Sequence, residues 1–99
     1  MSVKMDLVTA AKAMNGSLNG DNATFVGVST DSRKIGPGQL FIALRGDSFD
    51  GHDFVATAKE RGAVAAVVDS AAPPSLQDIG LPLLVVADTR LALGDLAAA

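Results

Sequence analysis

The sequence predicts an α/β fold in which a small mixed sheet is flanked by helices. Short valine- and leucine-rich segments alternate with stretches of helical apolar spacing, in the order strand, helix, strand. The segment Gln39–Leu44 carries bulky residues at successive positions, Leu40, Phe41, Ile42 and Leu44, which suits a strand covered on both faces. The helical stretch after it supplies the crossover that a parallel strand pair requires.

Each element has its own justification. From Met5 to Met14 the residues Leu7, Val8, Ala11 and Met14 share one helical face, and Asn15-Gly16 stops the helix. Thr24–Thr30 has strand composition in Phe25, Val26 and Val28, with Gly27 marking a bulge or a close backbone approach. The exit Asp31-Ser32-Arg33-Lys34 leads to a Pro37-Gly38 turn and the strand Gln39–Leu44. A loop follows from Gly46 to Gly51, then a helix over His52–Arg61 with Phe54, Val55 and Ala58 on its apolar face and Gly62 at its end. Ala63–Asp69 and Pro82–Ala87 read as short strands separated by a Pro-Pro loop. Thr89 onward is helical, with Leu91, Leu93 and Leu96 as its apolar positions. That last helix starts without a stop signal before Ala99, so the chain is expected to be a piece of a longer protein.

Composition narrows the chemistry. Ninety-nine residues with 48% apolar content support one small domain. Eleven acidic against eight basic side chains, net −3 with no basic run, argue against nucleic-acid binding. The sequence contains no cysteine and one histidine, which removes disulfides, thiolate nucleophiles and zinc–sulfur sites. The apolar run Leu81–Ala87 is too short for a membrane span, and Lys4, Asp6 and Lys12 break up any secretory h-region, so a cytoplasmic protein is expected.

Two loops can carry function. Thr30-Asp31-Ser32-Arg33 lies where a strand gives way to a loop, a place where hydroxyls, backbone amides and a guanidinium can meet an oxygen-rich ligand such as a diphosphate. The same residues also suit a structural Asx-turn with Arg33 paired to a surface carboxylate. The second loop, Arg45-Gly46-Asp47-Ser48-Phe49-Asp50-Gly51, offers Phe49 as a stacking platform for a planar base, with Asp50 as a helix cap. Alternatively, Phe49 plugs the core. Asp47, Asp50, His52 and Asp53 do not match a calcium-loop spacing, so no metal site is assigned. No Gly-Lys-Ser or Gly-Lys-Thr phosphate loop and no nucleophile elbow are present.

Asp31-Ser32-Arg33, Pro37 to Gly46, Phe49-Asp50-Gly51-His52-Asp53-Phe54 and Gly62-Ala63, in that order and spacing, closely resemble the N-terminal domain of the Mur ligases of peptidoglycan synthesis. The later segment Val85 to Ala97 is most similar to the MurF branch, which joins D-alanyl-D-alanine to UDP-N-acetylmuramoyl-tripeptide. The MurE branch, which adds the third stem residue, is the alternative. The resemblance implies an ATP-dependent amide ligase that phosphorylates the substrate carboxylate to an acyl phosphate, which the incoming amine attacks. It further implies a fold like the MurE/MurF N-terminal domain, with residues 1–88 binding the UDP-sugar peptide and 89–99 starting the helix toward a central ATPase domain. ATP and Mg2+ are expected in that further part, so this stretch carries no catalytic residue.

Position by position, the resemblance places Ser32 at the diphosphate, flanked by Thr30 and Asp31. It places Asp47, Ser48 and Phe49 around the uracil, with Gly46 beside them in the same substrate-binding loop. Arg45 stands where the family often has lysine, and its charge and position suggest a phosphate contact. The implied partners are UDP-N-acetylmuramoyl peptide and, for the whole enzyme, D-alanyl-D-alanine, with a monomer expected. A reading from another class is a non-catalytic α/β module that docks a protein partner by an apolar edge.

Overall fold

The computed structural model describes residues 4–46 and 50–98. The first described element is a strand, β1 (Lys4–Asp6), where the apolar spacing predicted helix from Met5; helix α1 is Leu7–Ala13. The reason is the cap. Asp6 is extended, and its carboxylate accepts the Thr9 N–H at 2.8 Å. Asn22 Oδ1 accepts the Val8 N–H at 3.1 Å and the Ala23 carbonyl accepts the Leu7 N–H at 2.9 Å, which satisfies further free donors of the first turn. Leu7, Ala10 and Ala11 face inward, whereas Val8, expected on the apolar face, is exposed.

After α1 come β2 (Ser17–Asn19), β3 (Thr24–Val26) and β4 (Val28–Ser29). The single strand expected over 24–30 is two, because Gly27 sits at φ +121°, which only glycine adopts readily. The break lets β3 pair antiparallel with β1 while β4 joins the main sheet. β2 was not expected; its Ser-Leu-Asn is too short for a readable alternation, and pairing with a later strand creates it.

The remaining elements are β5 (Leu40–Ile42), a 3-10 turn at Gly51–Phe54 running into α2 (Val55–Glu60), β6 (Ala65–Asp69), a 3-10 segment at Pro74–Ile79, β7 (Leu83–Val86) and α3 (Thr89–Ala98). Among the described residues the main sheet has the order β2-β7-β6-β5-β4, with β4 to β7 parallel and β2 antiparallel at one edge. The sheet is therefore mixed, as expected.

Side chains alternate across it. Leu40, Ile42, Val67, Leu84 and Val86 pack with Leu7 and Met14 of the α1 region and with Ala92 and Leu96 of α3. Phe41, Ala43, Ala66, Val68 and Leu83 pack on the other face with Val55 and Ala58 of α2 and with Ile35 and Leu76. β5 and β6 are buried along their whole length, as strands sandwiched between helices must be.

Besides Val8, two more expected core residues lie outside. Phe54 is 42% exposed because the 3-10 turn rotates it off the face that Val55 and Ala58 bury, and Leu91 is 66% exposed because α3 turns Ala92 and Leu96 inward instead. α3 thus shares its core with α1. Asp88 caps it, accepting the Arg90 and Leu91 N–H groups at 2.9 and 3.2 Å. No helix among the described residues is long and apolar enough to cross a membrane.

Because four strands run in parallel, the segments after β4 and β5 leave from neighbouring positions at one end of the sheet. The packing of α3 predicts that Leu96→Ala lowers unfolding free energy by about 2–5 kcal/mol. Leu91→Ala is expected to change it by less than about 0.5 kcal/mol. Urea denaturation of the two variants checks both values.

Candidate functional site: a cleft at the strand ends

The turn after β4 is held by its own polar groups. Ser29 Oγ accepts the Asp31 N–H at 3.2 Å, and Asp31 Oδ1 accepts the Arg33 N–H at 2.8 Å, forming an Asx-turn. The Arg33 guanidinium lies against the same carboxylate, with both contacts at 3.2 Å. Hydrogen bonds from the Arg33 side chain, then from its backbone N–H, hold the Asp31 carboxyl below its ordinary pKa. The Asp31 carbonyl accepts the Lys34 and Ile35 N–H groups, and buried Ile35 anchors the turn to the α2 side of the sheet. The structural reading of this turn is therefore realised. Ser32 is 8% exposed, and its hydroxyl makes no hydrogen bond among the described residues.

That turn borders a cleft of about 460 Å³. Thr30 to Arg33 line it from the β4 side, and Gly51 and Phe54 line it from the segment after β5, with Phe41 beneath. It lies on the face covered by α2, since Phe41 packs with Val55 and Ala58. The volume suits a small-molecule site, with hydroxyls, a carboxylate and a guanidinium from one segment and aromatic surface from the other.

Beside it, the Arg45 and Asp50 ends of the second loop are joined. They form an isolated antiparallel bridge, and Arg45 Nη1 contacts Asp50 Oδ2 at 2.6 Å. The rest of the Arg45 fork grips Asp69 at the end of β6, Nε to Oδ2 at 2.5 Å and Nη2 to Oδ1 at 3.1 Å. Arg90 of α3 donates to the Arg45 carbonyl at 2.9 Å.

His52 completes a ring of contacts. Its side chain is 1% exposed; Nε2 accepts the Asp69 backbone N–H at 3.0 Å, and Nδ1 lies 2.6 Å from Asp50 Oδ1. An acceptor at Nε2 requires the neutral imidazole to carry its proton on Nδ1, which then donates to Asp50. Asp50 also accepts the His52 backbone N–H at 2.9 Å and so caps the 3-10 turn, as expected of it.

The two aspartates titrate low for different reasons. Hydrogen bonds from Arg45 lower Asp69 against the opposing effect of burial, with the Ala71 N–H and the Arg45 charge adding to the shift. Burial pushes Asp50 upward, but the hydrogen bonds from the His52 backbone and ring N–H groups and the charge of Arg45 bring it below the ordinary value. Hydrogen bonding to Asp69 raises Arg45.

Of the residues the sequence singled out, Thr30, Asp31 and Ser32 lie at the cleft. Gly46 is exposed, while Asp47, Ser48 and Phe49 lie outside the described residues. Arg45 has three of its N–H groups on carboxylates, an engagement that sequence reasoning did not anticipate. It also missed Phe54 at the cleft and Asp69 and Arg90 in the ring. The Asp-Gly-His spacing was the available signal for a capped turn with an inward histidine, but the partner on β6 is seventeen positions away.

The model of the Mur ligase family, catalytic domain, matches residues 24–99. The chain belongs to the Mur ligase family. It is 46% identical over 96 residues to the UDP-N-acetylmuramoyl-tripeptide–D-alanyl-D-alanine ligase of Escherichia coli K12, covering 97% of this chain and 20% of that protein. It is 56% identical over 66 residues to the UDP-N-acetylmuramoyl-L-alanyl-D-glutamate–2,6-diaminopimelate ligase of Chlorobium phaeobacteroides, covering 67% of this chain and 13% of that protein. A crystal structure of MurF from Acinetobacter baumannii superposes with a TM-score of 0.82 at 32% identity, over 98% of this chain and 21% of that one. The chain thus spans about a fifth or less of the length of these relatives. As a Mur ligase domain it combines the family fold with a cleft at the carboxyl ends of β4 and β5.

The lowered aspartates set an acid limit. A carboxyl whose pKa is lower folded than unfolded contributes stability that is complete above its unfolded value, near 4, and is lost as pH falls through the folded value. Thermal melts from pH 6 to pH 2 are expected to show a falling midpoint below about pH 4. Asp69→Asn is expected to start lower at pH 6 and to flatten that fall.

Proposed function

We propose that this chain is the nucleotide-binding part of an ATP-dependent ligase that joins D-alanyl-D-alanine to UDP-N-acetylmuramoyl-tripeptide in peptidoglycan synthesis in the cytoplasm. The observation that carries the reading is the cleft, where the Ser32 hydroxyl has no hydrogen-bond partner among the described residues, beside an Arg33 whose side chain is 85% exposed. A hydroxyl and a guanidinium on one turn suit a diphosphate, and the aromatic surface suits a nucleobase. The relationship to the Escherichia coli and Acinetobacter baumannii proteins over almost the whole chain supports the same assignment.

In this reading Ser32, with Thr30 and Asp31 beside it, binds the diphosphate. Arg45 contributes the guanidinium donors that its two aspartates leave free. Gly46, Asp47, Ser48 and Phe49 belong to the uracil side. The residues present do not fit the ATP site: the chain contains no Gly-Lys-Ser or Gly-Lys-Thr phosphate loop, and the described residues hold no cluster of three metal-ligating side chains. ATP and Mg2+, which supply the activating phosphoryl group, are therefore assigned to the part of the family that this chain does not span. A Thermotoga maritima MurF ligase was solved with ADP, and it matches this chain over 71% of its length with a TM-score of 0.57. Residues 1–88 are assigned to substrate binding, with the helix from 89 as the lead toward the ATPase domain, braced by Ala92 and Leu96.

A second reading, addition of diaminopimelate as in MurE, is favoured by the 56% identity to the Chlorobium protein. Incubating the full-length enzyme and ATP with each pair of substrates decides between them. Formation of the pentapeptide product from UDP-N-acetylmuramoyl-tripeptide and D-alanyl-D-alanine is expected, and product only from the dipeptide substrate and diaminopimelate would establish the second reading. Ser32→Ala is expected to weaken binding of the UDP-sugar peptide by about 1–2 kcal/mol, or roughly 5- to 30-fold. Calorimetric titration checks this, and an unchanged Kd removes Ser32 from the site.

A further inference from the structure

Phe54 lies at the cleft although its spacing with Val55 and Ala58 suits a core position. It is 42% exposed while Val55 next to it is fully buried. The rotation that brings it out comes from the 3-10 turn Gly51–Phe54, and several contacts fix that turn. Gly51 donates to the Leu44 carbonyl at 2.7 Å, and a Cβ at Gly51 would lie 2.7 Å from the Leu44 nitrogen and 2.9 Å from its oxygen. Asp50 caps the turn through the His52 N–H at 2.9 Å. The buried His52 ring then ties it to the end of β6, accepting the Asp69 N–H at 3.0 Å while Nδ1 meets Asp50 at 2.6 Å. His52 points into the protein, and Phe54, two residues on, lines the cleft.

A half-exposed aromatic on a held turn offers a flat apolar surface at no further cost of ordering. Ser32 and Arg33 line the same cleft from its other segment, and the Arg33 side chain is exposed. A ligand that uses both needs a planar, weakly polar ring joined to an anionic group, which describes a nucleoside diphosphate. We infer that Phe54 is the surface on which the nucleobase rests, and that His52 is a positioning residue holding Phe54 in the cleft through its two ring contacts. This rests on the proposed function and adds to it a residue that the spacing had placed in the core. Base–aromatic stacking is strong enough to be measured by a single substitution.

The test uses the full-length enzyme and UDP itself, which lacks the sugar and peptide, so that a change reports on the nucleotide. Phe54→Leu keeps apolar bulk and removes the aromatic face. It is expected to raise the Kd for UDP about 5- to 20-fold. In turnover the effect should appear in the KM for the UDP-sugar peptide and not in the KM for the second substrate. His52→Asn retains a group able to donate to Asp50 and loses the acceptor for the Asp69 N–H. It is expected to raise the Kd for UDP several-fold, while the double variant Phe54→Leu/His52→Asn binds UDP no more weakly than Phe54→Leu alone.

An additive double variant overturns the positioning role of His52. If His52→Asn does not fold, Phe54→Leu alone decides: a wild-type enzyme that binds UDP and a Phe54→Leu enzyme that binds it equally well overturn the inference and leave the proposed function standing. A wild-type enzyme with no affinity for UDP or UDP-sugar peptides overturns the proposed function itself.

Discussion

Burial of β5 and β6 on both faces is the constraint from which the rest of the architecture follows. A strand such as Leu40–Ile42, apolar on each side, needs a helical layer above and below it, and the chain meets this with α1 and α3 on one face and α2 on the other. The connection from β5 to β6 passes through α2 and returns to the opposite end of the sheet, so the two strands are parallel. With β4 and β7 aligned the same way, the segments that follow the strands gather at one end of the sheet. The cleft is a consequence of that alignment, since Thr30–Arg33 and Gly51–Phe54 follow adjacent strands.

The ring of Arg45, Asp50, His52 and Asp69 gives that end a defined geometry. Partly buried charges are costly to desolvate, and an ion pair of this kind is weak ground for stability by itself. Its effect here is on conformation. The planar fork of Arg45 holds the end of β6 and the exit of the second loop, and His52 adds a single tautomer that satisfies one donor and one acceptor. Arg90 extends the connection to α3, so three elements distant in sequence meet beside the cleft. Lysine in place of Arg45, with one ammonium group, would not reproduce the bidentate grip on Asp69.

Much of the fold was legible because it depends on local patterns. The double-sided burial of Leu40–Ile42, the crossover helix, the Asp50 cap and the Asx-turn at Asp31 each need only neighbouring residues, and each is present. The failures share a cause. Met5 and Asp6 fall inside the stretch expected to be helical but are extended by pairing with Thr24–Val26, and Ser17–Asn19 becomes a strand only beside Leu83–Val85. Phe54 and Leu91 fit an apolar stripe by position, yet a 3-10 turn and the orientation of α3 set them outward. At the site, Thr30, Asp31 and Ser32 were legible from their turn chemistry, whereas Asp69 had no local signal marking it as the partner of Arg45 and His52.

By itself the sequence determined the α/β class, the parallel crossover, the family to which the chain belongs and the turn that borders the cleft. All of these follow from periodicity, turn residues or motif order within short stretches. Only the tertiary structure decided that Phe54 lines the cleft, which carboxylates hold Arg45, and which tautomer His52 adopts. Those outcomes depend on donors and acceptors brought together from separate strands, and a linear pattern carries no record of distances across a sheet.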